Sequence, residues 1–214
     1  DNKGKKKDAF YVYGICADLI SDCSSAGLLR VASLKDIEKL DLTNLDNKDL
    51  ADKLLVRYIA QGTLWKMEDM FQLSIELYDT KKSEVVWSDR WQERWENLTT
   101  IKDNLSDGLL KSLDTKSKKE HKLETTNAAA YEYYLKAKYK YKKRENIEDT
   151  EIIRGLIAKA LQLDNQLLSA NTLLGWTYFD IGEYDNAMKM YNQNLKKAEA
   201  TEDEGCIAEL FHNI

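Results

Sequence analysis

The sequence predicts a small mixed domain of the α+β or α/β type built on an antiparallel meander, followed by an all-α array of helical hairpins. Three observations lead there. Residues 71 to 78, and again 85 to 91 beyond a turn, alternate side chains with the period of a half-buried strand. The composition turns almost wholly charged or small at Asp114–Thr126. Beyond that point small and aromatic residues recur at helix-hairpin spacings and no strand pattern appears.

From Phe10 to Cys23, Val12, Cys16, Leu19, Ile20 and Cys23 recur at helical spacing, and Gly27 stands where a helix ends. Leu28 to Ala32 is a short apolar run expected as a buried strand. Ser33 with Asp36 three later is a capping-box-like start for a helix through Leu40. Asp46 to Leu55 suggests another helix, with Leu50, Leu54 and Leu55 on one side. Tyr58 to Trp65 is rich in strand formers. Phe71, Leu73, Ile75 and Leu77 alternate with polar neighbours, Asp79 to Lys82 supplies a turn, and Val85, Trp87, Asp89 and Trp91 alternate again. Trp87 and Trp91 are expected on one strand face, packed against helices. Asn97 can cap a helix with Leu98, Ile101, Leu105, Leu109 and Leu113 inside. The domain boundaries follow as 1–117, a linker at 118–128, and hairpins over 129–214, with units at about 130–167 and 168–201 and a third from 202.

Of the 214 residues 43% are hydrophobic, enough for packed cores, and 32% are charged. The net charge of -5 opposes a general nucleic-acid binder, which needs excess Lys and Arg. No apolar run reaches the roughly 18 residues of a membrane span, and Asp1–Lys7 shows no signal-peptide pattern. Cys16 and Cys23 lie seven apart on one helix face, poorly placed for a disulfide and expected as core filler. A reducing compartment fits three unpatterned cysteines. The chain has no proline.

Residues Ala170–Tyr191 place Leu174-Gly175, Tyr178, Gly182, Tyr184, Ala187 and Tyr191 at fixed spacings. Small Gly175 and Ala187 suit a crossing of antiparallel helices, Tyr178 and Tyr191 fill the space between them, and Gly182 suits the turn. This stretch resembles a tetratricopeptide repeat. A degenerate copy upstream has Ala137 at the small position and Ile153, Ile157 and Ala160 on the second helix, with Glu145–Thr150 as an insertion in the turn. Asn165 stands where proline is common in the family.

Tyr11 to Leu113 resembles the TolB amino-terminal-like domain. The likeness rests on Gly14–Ile20, Leu29-Arg30-Val31, Tyr58–Leu64, Leu77-Tyr78-Asp79, Val86–Trp91 and Leu98–Leu105. It departs at Asp36–Asp49, and the family's opening apolar strand has no counterpart here. The resemblance implies a domain found beside bacterial class III adenylate or guanylate cyclases or serine/threonine kinases, without a catalytic domain in these residues.

No phosphate-binding glycine loop is present, and His121 and His212 have no metal-spaced or triad-like neighbours. No catalytic residue, metal or cofactor is expected. Tyr133–Arg144 (YYLKAKYKYKKR) interleaves aromatics and cations. It reads as a solvated amphipathic helix, as a nucleic-acid stacking face, or as one wall of a peptide groove. By analogy with tetratricopeptide domains the groove sets Tyr131, Tyr134, Lys138, Tyr141 and Lys142 beside Thr172, Trp176, Phe179 and Asp180, suited to a peptide bearing a carboxylate. The expected function is a regulatory, protein-binding region of a bacterial signalling protein in the cytoplasm. Two alternatives stand beside it: a dimerising or tuning arm of a parent cyclase or kinase, and an envelope scaffold akin to TolB. A protein or peptide partner is expected, and a homodimer under the parent-enzyme alternative; nucleic acid and membrane insertion are not.

Overall fold

The computed structural model describes residues 9–26, 29–114 and 125–200, together with Ile207 and Leu210. The chain divides into two compact units, Asp1–Lys122 and Leu123–Ile214. Among the described residues no helix is long and apolar enough to cross a membrane.

The first unit holds helices α1 (Ala9–Ser25), α2 (Leu34–Glu38) and α3 (Asn47–Leu54), then strands β1 (Tyr58–Met67), β2 (Met70–Asp79) and β3 (Glu84–Arg94). A 3-10 turn, Trp95–Asn97, leads into α4 (Leu98–Ser112). The three strands form an antiparallel sheet in sequence order. β2 lies in its centre because its alternation serves both requirements: Phe71, Leu73, Ile75, Leu77 and Asp79 are buried, and every residue between them is half-buried. Two-residue turns of this kind need a left-handed residue, and Glu68 supplies it with φ 52°. Beside the β2–β3 turn the register slips, since Leu77 faces Trp87 and Tyr78 faces Val85, leaving Val86 as a bulge. Gly62 is required where β1 presses on β2: a Cβ there would lie 2.4 Å from the Ser74 carbonyl oxygen.

Asp79 is 1% exposed and receives the Arg57 guanidinium at two points, Nε at 3.0 Å and Nη2 at 2.6 Å. That bidentate pair holds its carboxyl down at about 2 against the opposing cost of desolvation, with the Lys81 and Lys82 amides adding to it. On the helical side Trp87 lies over Gly108, whose absent side chain leaves room for the indole. Trp95 meets Tyr11 and Phe71 edge-on, and Lys66 sets its ammonium 4.0 Å from the Trp95 ring and 2.7 Å from the Tyr11 hydroxyl.

Several expectations are corrected here. Leu29–Ala32 forms no strand; its backbone pairs with no ladder, and Arg30 instead reaches the Leu54 and Leu55 carbonyls at 2.7 and 2.8 Å. No residue of the stripe Val12, Cys16, Leu19, Ile20, Cys23 is fully buried. Phe10, Tyr11 and Ile15 are buried, while Cys16 is exposed and Cys23 half-buried, so neither cysteine is core filler. The reason is electrostatic. Half-buried Lys102 on α4 faces carboxylates, and Asp22 supplies one at 3.3 Å while also accepting from the Ser106 hydroxyl at 2.7 Å. Burial acts to lower the Lys102 pKa, but Asp22, Asp18 and Asp103 outweigh it and raise it. That clamp turns the Tyr11–Ile15–Asp22 side of α1 inward.

Helix α2 ends at Glu38, short of Leu40, with Ser33 capping it as expected. Leu55 is the left-handed C-cap of α3 and is 75% exposed, so Ala51 and Leu54 form its inner side. Asn97 makes no side-chain cap; it donates to Glu93 instead. The predicted strand residue Leu28 and the helix end at Gly27 lie outside the described residues.

The second unit is helical: α5 (Ala128–Lys142), α6 (Ile147–Leu163), α7 (Leu168–Phe179) and α8 (Tyr184–Ala200). α5 packs with α6 and α7 with α8 as hairpins, and α6 packs on α7. Asn127 caps α5 by accepting from the Ala129 and Ala130 amides, so the helix starts inside the predicted linker. Ala137, Ile153, Ile157 and Ala160 are all fully buried. In the second hairpin Gly175 lies against Tyr191, and a Cβ there would stand 2.3 Å from its Cε1. Gly182 takes φ +79° in the turn.

Glu145–Thr150 is not a loop insertion. Both turns have four residues, 143–146 and 180–183. Taking Ala137 with Gly175 and Ile153 with Ala187 as counterparts, the first hairpin is four residues longer, and these lengthen α5 by one and α6 by three. The proposed third hairpin falls largely outside the described residues; Ile207 and Leu210 pack on the cluster of Leu168, Ala187, Tyr191 and Ala198.

Candidate functional site

α5 and α7 are the first helices of their hairpins, and every residue expected to line a groove lies on them or at their C-terminal ends. The structure sorts these residues by depth. Tyr131, Tyr134 and Thr172 are buried and offer little surface. Tyr131 and Tyr134 pack ring to ring at 6.1 Å. Thr172 accepts from Asn194 Nδ2 at 2.8 Å, and the same nitrogen reaches the Leu168 carbonyl at 2.9 Å, tying α8 to α7.

Tyr141, Trp176 and Asp180 come together. The Tyr141 and Trp176 rings are 5.9 Å apart, and Trp176 rests on the α7–α8 core. The Tyr141 hydroxyl donates to Asp180 Oδ2 at 2.6 Å. Arg144, which the sequence did not single out, completes the arrangement. Its Nη2 donates to the same Asp180 oxygen at 2.7 Å, its Nη1 to the Tyr141 carbonyl at 2.6 Å, and its guanidinium stacks 3.8 Å from the Tyr141 ring. Burial first, and then the Asp180 hydrogen bond, push the Tyr141 phenol up, so it stays a donor at neutral pH. The cluster is a fixed, aromatic, charge-compensated ledge bridging the two hairpins.

Lys138 is half-buried with its ammonium 5.4 Å from the Tyr134 ring, and Lys142 is exposed. Phe179 is 53% exposed and meets Tyr184 edge-to-face at 5.4 Å. Three of the cations in Tyr133–Arg144 face carboxylates: Lys136 with Glu132, Lys140 with Asp149, and Arg144 with Asp180. The Lys140 bond, joined by the Glu145 amide, holds the Asp149 carboxyl below the usual range. These pairs spend much of the positive charge a nucleic acid would need.

Among the described residues no three His, Cys, Asp or Glu side chains converge on a metal-sized site. His121 and His212 lie outside those residues. Cys23 is held protonated at neutral pH, its thiol pushed up to about 11 by burial and then by Asp22. The surface that remains suits binding through aromatic rings and paired charges. No protein-family model matches the chain, and no curated protein matches it.

Proposed function

We propose that the second unit is a peptide-binding array of the tetratricopeptide type, and that the chain is a non-catalytic, regulatory protein-interaction region of a larger bacterial signalling protein. The observation that carries the reading is the ledge of Tyr141, Trp176, Asp180 and Arg144. It joins the first helices of two successive hairpins into one rigid aromatic surface with Lys138 and Lys142 on the same helix. Rigid aromatic anchors beside cations are the means by which a groove holds an extended or helical segment with a carboxylate. The first unit, through its likeness to TolB amino-terminal-like domains, supplies the regulatory part of the proposal.

The test is fluorescence anisotropy with a panel of labelled extended and helical peptides carrying carboxylates. Lys138→Glu and Lys142→Glu should each weaken the best binder by about tenfold. Affinity that both variants leave untouched, or a panel with no binder, removes the groove.

A further inference from the structure

The hairpin tips carry a second surface whose chemistry is complementary to itself. Four large apolar side chains, Phe179, Ile181, Tyr184 and Met188, are exposed together at the α7–α8 turn. Phe179 and Tyr184 are in ring contact, and Tyr184 and Met188 are one helical turn apart, so these three form one patch, with Ile181 in the turn between Phe179 and Tyr184. Contiguous exposed apolar area of this kind marks an interaction surface.

Charge says what covers it. The turn and the start of α8, residues 180–185, include Asp180, Glu183 and Asp185 and no cation, a net of -3. The end of α5 and the neighbouring turn, residues 142–146, include Lys142, Lys143 and Arg144 against Glu145, a net of +2. The Arg144–Asp180 ion pair spans the two turns and fixes them side by side. One face therefore holds a basic half, an acidic half and an apolar patch, with Ile147 exposed beside the basic half.

We propose that this tip face is a homodimer interface between two copies of the chain related by a two-fold axis. A two-fold operation applies the same patch to itself. It sets the basic turn of one copy opposite the acidic turn of its partner, twice, and brings the two apolar patches together within a charged rim. A foreign partner would have to reproduce both charges; a second copy carries them already. The interface shares Phe179 and Asp180 with the peptide groove but does not rest on it, because its readout is mass and not peptide affinity.

The experiment is sedimentation equilibrium of the whole chain across concentration, with far-UV circular dichroism confirming that each variant is folded. The chain should associate as a dimer that weakens as salt rises. Tyr184→Ser, Lys143→Glu and Asp185→Lys should each weaken the dimer by about tenfold, and Lys143→Glu with Asp185→Lys together should restore it to within about threefold. A monomer up to about 100 µM overturns the proposal. So does a dimer that ignores these folded variants, or one in which the charge swap restores nothing.

Discussion

Replacing Gly175 with alanine sets two effects of known size against each other. Alanine is the better helix former by about 1 kcal/mol in a helix interior. Against that, the new Cβ would stand 2.3, 2.8 and 3.0 Å from three ring atoms of Tyr191, a side chain only 2% exposed. The ring has no solvent to swing into, so either it leaves its rotamer or α7 and α8 part. Overpacking of this kind costs about 1–3 kcal/mol, and the net expectation is a loss of about 0–2 kcal/mol.

Gly155 provides the control, being an exposed glycine inside α6 with nothing within 4 Å of a Cβ. Gly155→Ala should stabilise by about 0.5–1 kcal/mol, so the difference between the two variants isolates the steric cost. Urea unfolding followed by helical circular dichroism measures both. In a Tyr191→Leu background the penalty at Gly175 should shrink, a coupling that a double-mutant cycle reads directly. If Gly175→Ala stabilises as much as Gly155→Ala, the close helix crossing is wrong.

Two other perturbations test the first unit. Gly62→Ala pushes a methyl into the Ser74 carbonyl, which is backbone and cannot rotate away, and should destabilise by about 1–3 kcal/mol in thermal or urea melts. The carboxyl of Asp79 lies at about 2 in the folded protein, below its unfolded value of roughly 4. Its contribution is thus fully present above about pH 4 and lost as pH falls through about 2. Melting temperatures of the protein and of Asp79→Asn should differ at pH 6 and converge towards pH 2; a constant gap would mean that the Arg57 contact is not what stabilises the folded carboxylate.

The sheet and most helices were legible because their patterns admit one solution. In β2 the alternation fixes which side is buried, and in α4 the leucine spacing does the same. α1 was read on the wrong side because it is apolar over most of its circumference. Its orientation is decided by Lys102, about eighty residues later, whose need for Asp22 no local window contains. Leu29–Ala32 has strand-like composition, but a strand exists only with a hydrogen-bonding neighbour, and composition does not name one.

The candidate site divides the same way. Repeat spacing gave the side of the helix for Tyr141, Trp176 and Asp180, and these do meet. It gave no depth, so Tyr131, Tyr134 and Thr172 were expected at the surface although they are buried. Arg144 was missed because it lies just past the end of α5, where spacing rules stop, and its role depends on a turn reached thirty-six residues later.

The unequal hairpins have a consequence for how such a chain can change length. The four extra residues of the first hairpin enter as helix and leave both turns at four residues. The three in α6 lie ahead of Ile153 and make roughly five-sixths of a revolution, so the apolar seam of Ile153, Ile157 and Ala160 that follows them is unchanged. At 1.5 Å per residue, the three added to α6 extend it by roughly 4.5 Å. Growth next to the turn can thus extend the tip of a hairpin without disturbing the seam beyond it. An insertion of two residues would rotate everything beyond it by roughly half a revolution and turn the seam outward. Along these helices length is gained most readily at the ends next to the turn, and the first hairpin carries all four of its extra residues there.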